Sequence, residues 1–109
     1  MDTQHALAAM AALAQDTRLA VYRLLVQAGP AGMSPGKISS MLGVPASSLS
    51  FHLKDLSHAR LIAARQDGRY IQYAADFSTM NQLLGFLTEN CCGGNSCTPV
   101  APACCEVAP

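Results

Sequence analysis

Residues 34–59 restrict the fold more than any other stretch of the chain. Ser34-Pro35 supplies a helix N-cap followed by proline at the first helical position, which opens a predicted helix running through Leu42. Ile38, Met41 and Leu42 are expected to face inward. Gly43-Val44-Pro45 then breaks the chain within three residues, and a further helix is predicted from about Ala46 to Ala59. Leu49, Leu53 and Leu56 set its core side. Two short helices joined through a tight glycine-containing turn form an αα-hairpin, so the rest of the chain must build around that unit.

The next segment narrows the choice further. Leu61 to Gln66 and Arg69 to Ala75 are strand-like and are separated by Asp67-Gly68, a strong short-range hairpin signal. A helix-turn-helix followed by a basic hairpin is a winged helix-turn-helix pattern. Flanking helices complete it. Residues 4–14 favour a helix with Leu7, Met10 and Leu13 on one side. Asp16 is expected to cap a helix from Thr17 to Ala28 with a core stripe of Leu19, Tyr22, Leu25 and Val26, ended by Gly29-Pro30. The last helix, Phe77 to about Asn90, carries Phe77, Met80, Leu83, Leu84 and Leu87 on one face. The expected fold class is therefore α+β, mostly α: about five helices and a two-stranded wing. Residues 1–90 form the predicted DNA-binding and dimerisation domain. From Cys91 to Pro109 the periodicity stops, and the residues read as a Cys-rich tail.

Composition agrees with a small binding domain. At 109 residues there is room for one domain, or one domain and a tail. With 50% hydrophobic and 13% charged residues the chain can bury a core, and without Trp that core must be mainly aliphatic. These values exclude a large enzyme, a membrane channel and a histone-like protein. The formal net charge of zero hides an uneven distribution. Between Lys37 and Tyr73, five basic residues face only two acidic ones, which makes a local positive footprint for nucleic acid. The apolar run Ala6–Ala14 has no Lys or Arg before it, and nothing approaches a membrane span, so a cytoplasmic location away from the membrane is expected.

The DNA-facing residues are set by helical geometry. With Leu49, Leu53 and Leu56 buried, the opposite side of that helix presents Ser47, Phe51, Lys54 and His58, with Ser48 and Ser50 nearer the sides. Hydroxyls at a helix start suit phosphates and base edges, and Lys54 suits a phosphate. Phe51 fits a thymine methyl or the rim of the core equally well. His52 lies on the border of the buried face, where a packing role competes with a DNA contact. Lys37 extends the positive set on the preceding helix, and Arg65 and Arg69 flank the wing turn.

Leu42-Gly43, Ser47, Ser50-Phe51-His52-Leu53-Lys54, Leu56 and the hairpin Asp67-Gly68-Arg69-Tyr70 resemble the ArsR/SmtB family of metal-responsive repressors. The resemblance runs from about Ala11 to Asn90 and includes Thr17-Arg18-Leu19. It implies a homodimer, paired through the first and last helices, that binds double-stranded operator DNA and releases it when a metal or metalloid binds. Pro45 and Ala46 stand where the family often has a Ser cap and a Gln, so Ala46 cannot read a base through its side chain.

Sensing sites occur at several places in that family, and this chain retains few of them. Its third helix reads KISSML and its last helix holds no His, so the tail is left. All five Cys fall in the last 19 positions, so no disulfide framework ties the fold together. Cys91, Cys92 and Cys97 place three thiols within seven residues, and Gly93-Gly94 lets the chain fold back. Three soft thiolates without a nearby fourth ligand suit a three-coordinate thiophilic ion such as As(III) or Sb(III) better than tetrahedral zinc. This arrangement resembles the arsenic-responsive members of that family, which carry a Cys-Cys pair plus a third Cys just after the last helix. Cys104 and Cys105 form a second pair that could add a fourth thiol for Zn or Cd, bind a methylated arsenical, or be inert. A thiol-redox repressor is the alternative. No catalytic constellation or catalytic cofactor is expected.

Overall fold

The computed structural model describes residues 1–94 of the chain. Five helices and one hairpin are arranged in the order α1 (Thr3–Leu13), α2 (Asp16–Ala28), α3 (Pro35–Leu42), α4 (Ala46–His58), β1 (Ile62–Asp67), β2 (Tyr70–Ala75) and α5 (Phe77–Leu87). Short 3-10 turns occupy Gly29–Ala31 and Cys91–Gly94. The strands pair antiparallel from Ile62 opposite Ala75 to Asp67 opposite Tyr70. This is the expected winged helix-turn-helix.

Each helix begins where its local chemistry permits. Asp2 caps α1 by accepting the His5 amide at 2.8 Å. That bond, followed by the one from the His5 ring, holds the Asp2 carboxyl below its ordinary pKa. Ser34 caps α3 through the Lys37 amide, with Pro35 in the first turn as expected. Asp76 caps α5 through the Thr79 amide. At α2 the cap is Gln15, one residue before the expected Asp16; its Oε1 accepts the Arg18 amide at 2.8 Å. A longer side chain thus fills the role usually given to Asp or Ser, and Asp16 is free to sit in the first turn, where the helix dipole favours it.

The core gathers Val21, Tyr22 and Leu25 of α2, Ile38 of α3, Leu49, Leu53 and Leu56 of α4, Leu61 with Ile62 and Ala75 at the base of the wing, and Leu83 of α5. The expected inward face of α4 is buried as predicted. Four details differ. On α2 Leu19 is 43% exposed and Val21 takes its place, because the neighbours of α2 cover the arc centred on Val21, Tyr22 and Leu25. On α3 Met41 is exposed, since this eight-residue helix turns only its Ile38 side fully inward. On α1 the packed face is Ala6, Ala9 and Ala12, whose small side chains let the helix lie close to its neighbours. Leu7 and Met10 remain outside. Finally, α5 ends at Leu87 rather than Asn90, and Asn90 adopts a left-handed φ of 57° before the Cys91–Gly94 turn.

The hairpin is also displaced by one residue from expectation. Asp67 and Tyr70 are paired, so the two-residue loop is Gly68-Arg69 rather than Asp67-Gly68. Gly68, at φ 65°, occupies the first loop position, as a type II′ hairpin requires. The wing is held to the helices by a bridge between Met33 and Tyr73: the Met33 amide donates to the Tyr73 carbonyl at 2.8 Å, and the reverse bond is 2.9 Å.

Candidate nucleic-acid interface

The leucines of α4 set this surface. Burying Leu49, Leu53 and Leu56 turns Ser47, Ser48, Ser50, Phe51 and Lys54 outward, and all five are exposed. Phe51 is 69% exposed, far more than a residue sealing the core rim needs. Pro45, at the N-cap, has no N–H and caps nothing with its side chain. The amides of Ala46, Ser47 and Ser48 therefore open α4 without a side-chain acceptor, and the positive end of the helix dipole faces outward with them. A phosphate oxygen suits such an end.

Side-chain bonds refine the expected contacts. The Ser50 hydroxyl donates to the Ser47 carbonyl at 3.0 Å, so its oxygen remains as an acceptor for an outside donor. His52 is half-buried, and its Nδ1 is enclosed with no hydrogen-bond partner among the described residues. On the wing, Arg69 occupies the loop itself and is exposed. Arg65 lies further back on β1, where one Nη donates to the Ala31 carbonyl at 3.2 Å. That bond fixes the guanidinium and leaves its other donors available. Lys37 is exposed on α3. Tyr70, outside the expected contact set, is 70% exposed at the first position after the loop. An aromatic directly after a basic hairpin loop was the available signal.

The expected thiol site lies largely outside the described residues. Among the described residues Cys91 is a half-buried free thiol just past the turn at residues 88–90, and its amide donates to the Thr88 carbonyl at 3.0 Å. Cys97, Cys104 and Cys105 lie outside the described residues. Among the described residues, no group of three or more His, Cys, Asp and Glu is placed to hold a metal ion. Nor is any described helix long and apolar enough to cross a membrane.

Together the uncapped helix, its polar outer face and the basic hairpin define a winged helix-turn-helix protein. A helix-turn-helix domain model matches residues 13–65. Among solved structures, the chain is similar to an ArsR-like transcriptional regulator from Rhodococcus sp. RHA1, at 26% identity and TM-score 0.70, covering 77% of this chain and 76% of that one. It is also similar to NolR from Sinorhizobium fredii, at 30% identity and TM-score 0.61, covering 79% and 83%. A third is described as a possible transcriptional regulator for arsenical resistance, at 27% identity and TM-score 0.59, covering 70% and 76%. Comparison with curated proteins returns no match. The chain belongs to the ArsR family of winged helix-turn-helix transcriptional regulators, a class of DNA-binding proteins rather than enzymes.

Proposed function

We propose that this regulator is a metalloid-responsive repressor. As a homodimer it binds operator DNA through α4 and the wing, and it releases the operator when As(III) or Sb(III) binds the thiolates of Cys91, Cys92 and Cys97. The released genes would serve arsenic resistance. The observation that carries the DNA half is the outward face of α4, with Ser47, Ser48, Phe51 and Lys54 exposed beside Arg69 of the wing. Exposed Leu7 and Met10 on α1 and Leu87 on α5 support a dimer through these helices. Cys91, separated from α5 only by the turn at residues 88–90, would connect the thiol cluster to that same interface. The residues 91–109 then form the effector segment, and three soft donors fit the trivalent ion. Similarity to a possible regulator for arsenical resistance supports the same reading.

Fluorescence anisotropy of a labelled duplex from upstream of the protein's own gene tests this. The reduced protein should bind in a salt-dependent manner, and arsenite should release it. A coupling of about 1–3 kcal/mol corresponds to roughly a five- to 150-fold loss of affinity. Cys97→Ser should abolish that release while leaving operator binding intact. Release by zinc instead would move the site to four ligands including Cys104 or Cys105, and release by peroxide alone would indicate the thiol-redox switch.

A further inference from the structure

Arg18 sits in the first turn of α2, where the positive end of the helix dipole disfavours a cation. A tertiary role accounts for its position. The side chain turns back from α2: Nε donates to the Ala12 carbonyl at 2.6 Å, and an Nη approaches the Ala11 carbonyl at 3.5 Å. These carbonyls end α1, which has no basic residue in its own last turn. The other Nη donates to the Asp55 carboxylate of α4 at 3.3 Å. One guanidinium, with its side chain only 20% exposed, thus touches α1 and α4 from α2.

Asp55 is the odd group in this set. It lies on the helix whose outer face carries Phe51 and Lys54, and its side chain is 54% exposed. An anion there opposes a phosphate backbone by charge alone. An ion pair this open also contributes little to stability. The pair does supply geometry, because a planar fork fixed at two ends allows α4 little freedom to roll against α1.

We propose that Arg18 is a positioning residue for DNA binding, fixing the orientation of α4 against the end of α1 through Asp55. This rests on α4 being the helix that meets DNA. The test compares wild type, Asp55→Asn and Asp55→Glu on the same labelled duplex, with thermal melts at one fixed protein concentration. Asp55→Asn should weaken operator binding by about two- to thirtyfold, the range of indirect couplings of this kind. Its melting temperature should stay close to wild type, and Asp55→Glu should recover the affinity. Removing a negative charge near DNA would by itself tighten binding, so the sign decides between the two effects. Tighter or unchanged binding by Asp55→Asn overturns the proposal.

A second arm needs no DNA. In 15N-resolved NMR the Arg18 Nε–H should be protected, and Asp55→Asn should shift amide signals on α1 around Ala11–Ala14. Shifts confined to α4 would overturn the positioning role. A wild-type protein that binds no duplex but passes this arm would count against the functional proposal and leave the α1–α4 link standing.

Discussion

Gly32→Ala offers the sharpest test of how the wing is attached. Gly29 and Gly32 adopt nearly the same backbone conformation, with φ/ψ of 78°/−165° and 73°/−164°. This region is essentially restricted to glycine, and placing alanine there costs about 1–3 kcal/mol. Around Gly29 an added Cβ meets nothing within 4 Å. At Gly32 it would overlap the carbonyl oxygen of Tyr73, a backbone atom that accepts the Met33 amide. Relief requires Tyr73 to withdraw from Met33, which breaks both bonds of that bridge at about 1 kcal/mol each. Gly32→Ala should therefore be destabilised by about 2 kcal/mol more than Gly29→Ala, or roughly 8–16 °C in melting temperature for a domain of this size. Circular dichroism melts at equal protein concentration measure the difference directly. Midpoints agreeing within about 3 °C would show that strain alone matters and that the Met33–Tyr73 bridge does not hold the wing.

Individual side chains give further expected outcomes. Arg69→Ala should weaken binding to all duplexes alike and reduce the salt slope by about 1, as measured by anisotropy titrations at several salt concentrations. Leu7 is 56% exposed, so if the proposed dimer pairs through α1, Leu7→Glu should leave the fold intact while shifting sedimentation from dimer to monomer. Tyr22 is buried, with no partner for its hydroxyl among the described residues, and burial followed by the nearby Asp76 charge pushes its pKa from 10.0 up to about 12. The neutral phenol is thus favoured in the fold: this contribution is complete below pH 10 and is lost as pH rises towards 12. Tyr22→Phe should lack that part of the alkaline loss and, near neutral pH, be unchanged or up to about 1 kcal/mol more stable in urea melts.

Local chemistry determined most of the architecture. Ser34-Pro35, the Gly43–Pro45 break and the leucines at 49, 53 and 56 act over a few residues, so the helix-turn-helix and the outward set on α4 were legible before any packing was known. The hairpin was legible as well, although Asp67 was assigned to its loop, because a two-residue turn can shift by one position without changing composition. Tertiary structure decided which face of each remaining helix is covered. Periodicity marks an apolar stripe on α1 but cannot say that Ala6, Ala9 and Ala12 turn inward while Leu7 and Met10 stay exposed. Nor can it reveal that Arg18 reaches from α2 to the end of α1 and on to Asp55, 37 residues away. Such contacts depend on how helices cross in space, and the 3.6-residue repeat along one helix carries no record of its neighbours.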